Sequence, residues 1–249
     1  MSCLGKLFLT IINNRLTRFA IDNNILSSSQ LGFVKRNRTS DPHIILNTIL
    51  QKYCHNRKKP IFGCFVDFSK AFDTVPRDIL LSKLQNKGVN GKLFEIIRTI
   101  YRDDLASIKI GDKYSEPFQT NKGVRQGCVL SPLLFNIFLS DIQEKFDNCG
   151  DNILLGAEEI SCLIWADDIL ILSETEAGLQ RKLNNLSAYC NINKLEVNTD
   201  KTKVMTFNKT GRLMKREFRF RNTVLECVRE YKYLGFIVTP SGLKLVSKT

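Results

Sequence analysis

Residues 160–172 read Ile-Ser-Cys-Leu-Ile-Trp-Ala-Asp-Asp-Ile-Leu-Ile-Leu. Two apolar runs flank an acidic pair. The pattern predicts strands over Ile160–Ala166 and Ile169–Leu172, paired as a hairpin with Asp167 and Asp168 at its tip. A second stretch ends the same way: Ile61–Val66 is rich in strand formers and closes on Asp67. A lone buried carboxylate is costly unless it is paired or bound to metal. If the two strands lie side by side, Asp67 and Asp167 converge. Converging acids repel and raise one pKa unless a divalent cation neutralises them. Mg²⁺ suits such a site, because it takes one or two carboxylates and leaves room for water and phosphates. Spacing alone is weak ground for this reading, since adjacent acids usually sit in solvated turns.

Outward from these strands the order is mixed. Residues 3–20 predict a helix with Leu4, Leu7, Phe8, Ile11, Ile12, Leu16 and Phe19 at mostly three- and four-residue steps. Ser40 and Asp41 suit the start of a helix over Pro42–Tyr53. Further helices fit Arg77–Lys87, Lys92–Tyr101, Pro132–Phe146 and Glu176–Asn191. Ala106–Ile110 and Tyr114–Thr120 fit a hairpin around Gly111-Asp112, and Lys203–Phe207, Glu217–Phe220 and Tyr233–Val238 fit strands. Hairpins without regular βαβ alternation imply an α+β fold rather than a doubly wound sheet.

The chain has 249 residues, enough for one large domain or two modest ones. Lys and Arg number 37 against 25 Asp and Glu, a net charge of +12 that points to a polyanionic partner. No apolar run approaches the length of a membrane span, and Met1–Thr10 lacks the layout of a signal peptide. The expected setting is intracellular, nucleus or cytoplasm, without membrane attachment. None of the eight cysteines forms a C-x-x-C pair and there are two histidines, so a zinc site is not expected. Cys64 and Cys162 lie in apolar runs and read as small buried hydrophobes.

What accompanies the acids gives a family resemblance. Residues 65–75, FVDFSKAFDTV, resemble motif A of reverse transcriptases, in the version carried by non-LTR (LINE-like) retrotransposons. Residues 123–136, GVRQGCVLSPLLFN, resemble motif B, and 165–168, WADD, resemble motif C. Residues 198–203, NTDKTK, resemble motif D, and Tyr233-Leu234-Gly235 resembles motif E. Upstream, Gln30–Ser40 resembles the fingers motif with Gln-x-Gly-Phe and a basic tail. These matches occur in family order and span nearly the whole chain. Trp165 stands where the family usually has Phe or Tyr, and Val34 where an Arg is common.

The resemblance assigns roles residue by residue. Asp67, Asp167 and Asp168 would be the catalytic acids and the ligands of two Mg²⁺ ions, with Mn²⁺ as a substitute. Phe72, five residues after Asp67, would be the steric gate against a ribose 2′-OH, and Phe68 would share the nucleotide site. Arg125, Gln126 and Gly127 would meet the incoming nucleotide. Lys201 would protonate or neutralise the leaving pyrophosphate, with Lys203 as its competitor. Tyr233, Leu234 and Gly235 would grip the primer, and Arg36 and Arg38 would contact primer or template. Arg57-Lys58-Lys59 and Lys215–Arg221 would add phosphate contacts. Alternating Phe218, Arg219, Phe220 and Arg221 fit a half-buried strand better than a stacking platform. Asp73 reads as a cap or ion-pair residue.

The fold implied is a right-hand polymerase palm, an antiparallel sheet backed by helices, with partial fingers and the thumb largely missing. The expected layout is partial fingers over 1–60, palm over 61–75, a fingers/palm connection over 76–129, palm over 130–239, and the start of a truncated thumb over 240–249. The family's Arg-containing fingers segment would precede Met1-Ser2-Cys3, so a fragment is expected, without the endonuclease domain that often accompanies the family. The implied activity is RNA-directed DNA synthesis with an RNA template, a DNA primer and dNTPs. The alternatives are an inactive nucleic-acid-binding remnant and an intron-maturase-type enzyme.

Overall fold

Every residue of Ile61–Val66 is buried, which is why this strand reads as an unbroken apolar run. The computed structural model describes residues 3–34, 37–102, 104–125 and 127–244. Its first elements are helix α1 (Cys3–Asp22), helix α2 (Asp41–Leu50), strand β1 (Ile61–Val66), and helices α3 (Ala71–Thr74), α4 (Arg77–Asn86) and α5 (Gly91–Arg102). Short strands follow: β2 (Leu105–Ala106), β3 (Lys109–Ile110), β4 (Lys113–Tyr114) and β5 (Phe118–Gln119). Next come helices α6 (Ser131–Phe138) and α7 (Ile142–Asp147), then strands β6 (Ile153–Leu155), β7 (Glu158–Ile160), β8 (Cys162–Trp165) and β9 (Asp168–Ser173). After helix α8 (Glu176–Asn193) the chain ends in strands β10 (Lys203–Phe207), β11 (Phe218–Phe220), β12 (Thr223–Cys227), β13 (Tyr231–Tyr233), β14 (Phe236–Thr239) and β15 (Gly242–Lys244). The described residues form two compact units, one from within 1–26 and 70–139, the other from within 27–69 and 140–249.

The second unit holds a six-stranded sheet in the order β11-β12-β10-β1-β9-β8. β1 lies antiparallel between β10 and β9, with Phe65 opposite Lys203 on one side and Leu170 on the other. One face of β1, carrying Ile61 and Phe65, joins a core with Leu46, Ile49 and Leu50 of α2 and with Tyr233 and Val238 of β13 and β14. Thr175 caps α8 by accepting from the Gly178 N–H at 2.9 Å, and Leu179, Leu183 and Leu186 are fully buried. The free cysteines Cys54, Cys64, Cys162 and Cys190 are buried, and burial pushes the Cys162 thiol up to about 12. Among the described residues no helix is long and apolar enough to cross a membrane.

The other unit is built on buried Arg77 at the start of α4. Its guanidinium donates to the carbonyls of Gly123 (2.9 Å) and Tyr101 (2.9 Å) and to Asp104 Oδ2 (2.6 Å). The hairpin expected around Gly111-Asp112 forms as two short ladders, β3 with β4 and β2 with β5. Burial would raise the Asp104 carboxyl, but Thr120, Arg77 and Arg125 outweigh it and hold it below the usual range.

Four expected elements differ. The helix expected over Pro132–Phe146 is broken between α6 and α7, where Leu139 and Asp141 have ψ near 0°. Tyr189 of α8 donates to Asp141 Oδ1 at 2.8 Å, a tertiary bond that local helical periodicity cannot report. The strand expected over Tyr233–Val238 is a hairpin, with Tyr233 opposite Phe236 around Leu234 and Gly235. Both turn residues have positive φ, 45° and 87°, as a two-residue turn of this hand requires. The helix expected to end at Tyr53 runs on as a π-helical turn over Gln51–Asn56. In α1, Ile12 and Leu16 are buried as expected, while Leu4, Leu7, Phe8 and Ile11 are exposed.

Candidate active site

The register that pairs Val66 with Ile169 sets the ends of β1 and β9 side by side. Asp67 leaves β1 at that end, and Asp168 begins β9 there. Trp165 pairs with Asp168, so Ala166 and Asp167 form a two-residue turn. Ala166 takes φ 58°, a left-handed conformation that a residue other than glycine holds only when its surroundings fix it.

Those surroundings are Gln30–Gly32. The Leu31 N–H donates to the Ile164 carbonyl (2.8 Å) and the Ile164 N–H donates to the Ser29 carbonyl (2.9 Å). Gln30 Oε1 accepts from the N–H groups of Gly32 (3.1 Å) and Ala166 (3.4 Å). A Cβ on Gly32 would lie 2.6 Å from the Ala166 nitrogen, so only glycine allows this approach. The Gln-x-Gly stretch therefore supports the acidic turn directly, in the same unit as the sheet.

The Asn198–Lys203 stretch supports Asp67 in turn. The Asp67 N–H donates to Thr202 Oγ1 (3.1 Å), and its carbonyl accepts from the Asn198 N–H (2.8 Å). Phe68 is buried and bridges Val197. Lys201 is exposed, with its N–H on the Asn198 carbonyl at 3.2 Å. Its competitor Lys203 is held at 2.5 Å by Glu226.

The half-buried carboxyls of Asp167 and Asp168 both sense the charge of half-buried Asp67. Burial, then the charges of Asp167 and Asp67, push Asp168 up to about 6. Burial also raises Asp167, opposed by a hydrogen bond to its own backbone and reinforced by Asp67. Tyr231 reports the same negative end: burial, then Asp168 and Asp67, push its hydroxyl up to about 12. Its ring stacks on Phe65 at 4.3 Å. Sequence reasoning missed Tyr231, although its place two residues before Tyr233 in a strand puts both on one face.

Among the described residues no trio of Asp, Glu, His or Cys side chains is grouped tightly enough to enclose an ion unaided. The donor set nevertheless fits a hard divalent cation: Asp167 and Asp168, both raised by burial and like charge, and Asp67 beside them would be relieved by one, with water or phosphate completing the shell.

The whole stretch also matches known proteins. A family model described as "Reverse transcriptase (RNA-dependent DNA polymerase)" matches residues 1–238. The chain belongs to the reverse transcriptase family. It is 27% identical over 245 residues to the Retrovirus-related Pol polyprotein from type-1 retrotransposable element R2 of Nasonia vitripennis, covering 94% of this chain and 23% of that protein. It is 30% identical over 244 residues to the probable RNA-directed DNA polymerase from transposon BS of Drosophila melanogaster, covering 94% of this chain and 26% of that protein. The chain thus spans about a quarter of the length of these relatives. Among solved structures it resembles apo telomerase from Candida tropicalis, with a TM-score of 0.66 and 15% identity over 93% of this chain and 45% of that one. The sheet is a polymerase palm-like fold.

The remaining residues expected at a reverse transcriptase site are placed as follows. Tyr233 is buried, its ring 5.4 Å from Phe65 and 5.5 Å from His43, while Gly235 is exposed at the hairpin turn. Arg38 is exposed, and its N–H donates to Asp41 Oδ2 at 2.7 Å. In the other unit, half-buried Phe72 stacks on Phe135 at 4.4 Å. Arg125 is bound to Asp104 Oδ1 (2.7 Å) and the Ile100 carbonyl (2.8 Å), so a phosphate would compete with Asp104 for it. Gly127 is exposed with φ 74°. Arg36 and Gln126 lie outside the described residues.

Proposed function

We propose that this chain is the polymerase core of a non-LTR retrotransposon reverse transcriptase, which extends a primer 3′-OH with dNTPs on an RNA template. The observation that carries this reading is the set of mutually repelling carboxylates, Asp67, Asp167 and Asp168, at one end of a palm-like sheet. Asp67, Asp167 and Asp168 would hold Mg²⁺. The ion supplies charge neutralisation at the phosphates and activation of the attacking oxygen. The protein's own part is positioning and electrostatics. Gln30 and Gly32 fix the turn that carries Asp167. Thr202 and Asn198 fix the backbone of Asp67. Phe72, held flat against Phe135, excludes a ribose 2′-OH by sterics. Lys201, exposed on the same turn as Asn198, gives a proton to the leaving pyrophosphate. The Leu234-Gly235 turn presses on the primer backbone, with buried Tyr233 as its anchor.

Extension of oligo(dT) on poly(rA) with Mg²⁺ tests the reading. The expected result is synthesis that Asp67→Asn and Asp168→Asn each reduce by at least about 10³-fold, or ~4 kcal/mol of barrier. Synthesis by the two variants equal to that of the parent chain would remove these acids from the reaction.

A further inference from the structure

The end of the sheet remote from the carboxylates carries a second charged feature. β1 has six residues, so Ile61 stands roughly 20 Å from its Asp67 end at about 3.3 Å per residue. Phe207 of β10 lies opposite Ile61, and the chain then turns through 208–212. That turn is wound around one buried side chain. Asn208 Oδ1 accepts from the Thr210 N–H (3.1 Å), Thr210 Oγ1 (2.7 Å) and the Arg212 N–H (3.3 Å), while Nδ2 donates to the Arg212 carbonyl (2.8 Å). The Asn208 N–H donates to the Pro240 carbonyl at 2.8 Å. So many bonds to one residue make the turn a rigid platform.

Two clefts adjoin at this platform. One, of about 360 Å³, is lined by Lys58, Lys59, Lys209 and Thr210. The other, of about 500 Å³, shares Thr210 and is lined by Arg229, Glu230, Ser241 and Lys244. All five cations are exposed. Among the described residues no acid pairs with Lys58, Lys59 or Lys209, and Lys244 alone of the five has one, Glu230 at 3.3 Å. Lys58, Lys59 and Lys209, gathered at the first cleft without counter-charges, repel one another, and a polyanion relieves that repulsion. The Ser241 hydroxyl beside the cations can turn to donate to a phosphate oxygen.

We propose that these adjoining clefts form a second nucleic-acid contact, which holds a phosphate backbone at the end of the sheet opposite the carboxylates. The proposal rests on the reading that the chain handles nucleic acid. Recognition there is by backbone charge and carries no base specificity.

The test is binding of a fluorescein-labelled single-stranded RNA of about 30 nucleotides to the full 249-residue chain, followed by anisotropy between ~50 and ~200 mM salt. Replacing Lys58, Lys59 and Lys209 together by Gln should lower the slope of log K against log salt by about 2, at ~0.7 per single-strand contact. A control, Lys6, Lys92 and Lys145 to Gln, removes the same charge from other exposed sites and should lower it by less than half as much. Bound RNA should also shield Lys58, Lys59 and Lys209 from acetylation, read by mass spectrometry. Equal slope losses in variant and control, or no shielding, would overturn the proposal alone. A parent chain that binds no RNA would sink the polymerase reading with it.

Discussion

Asp168 is pulled two ways. The fold needs it at the head of a buried strand, and burial with two neighbouring acids pushes its carboxyl up to about 6. The sign of the consequence follows from linkage. A carboxyl raised in the folded state keeps its proton to a higher pH than in the unfolded chain, so the metal-free protein loses stability as pH rises from about 4 to about 6. Melting in EDTA should show that fall, Asp168→Asn should flatten it, and Mg²⁺ at neutral pH should restore part of the loss. A parent profile as flat as that of Asp168→Asn would mean that the acids do not strain one another. Phe72 is the second informative residue. Phe72→Val should raise rNTP incorporation while sparing dNTP use, because the ring stacked on Phe135 is what a 2′-OH would meet. Unchanged rNTP/dNTP selectivity would remove Phe72 from the sugar gate. The motifs that point to both residues are local, so the sequence alone could suggest them. The grip of Arg125 on Asp104 was not, since its partner lies 21 positions upstream and across a hairpin.

At the scale of elements, what could be read was whatever repeats along the chain. β1 and the β8–β9 hairpin stand within a residue or two of their expected bounds because apolar runs with a terminal acid have one plausible burial. β12 went unread: Thr223–Cys227 is mostly exposed and carries no apolar alternation. The break between α6 and α7 was hidden because it depends on Tyr189, 48 residues beyond Asp141. The support of the β8–β9 turn by Gln30–Gly32 was equally non-local, and it can be tested. Gly32→Ala sets a Cβ 2.6 Å from the Ala166 nitrogen. It should lower stability by ~1–3 kcal/mol and reduce extension more than binding, since it moves the acids rather than the duplex contacts. A second element-scale test concerns α8. Lys182 is fully buried there, donating to Asn152 Oδ1 (2.8 Å) and the Leu172 carbonyl (2.7 Å). Burial drops its pKa from 10.5 to about 8. The unfolded chain then binds the extra proton between those values, so this lysine makes stability rise with pH across that window. The stability difference between the parent and Lys182→Met should grow in the parent's favour from pH 8 towards 10.5. A difference that stays constant would contradict the buried, strained amine.

For the whole molecule the governing quantity is a net charge of +12. It should make nucleic-acid binding strongly salt-dependent, with affinity falling by orders of magnitude between ~50 and ~200 mM salt if several phosphates are contacted. The proposed catalysis asks for the opposite charge in one place, Asp67, Asp167 and Asp168 at the end of the palm-like sheet. A divalent cation between that patch and the phosphates is the role proposed for it. The most direct test is Mn²⁺ binding to the full chain, followed by electron paramagnetic resonance without nucleic acid. Weak binding is expected, which Asp67→Asn and Asp168→Asn each abolish, while Glu226→Gln, at the ion pair with Lys203, leaves it intact. Mn²⁺ binding of equal strength in all three variants would contradict that expectation.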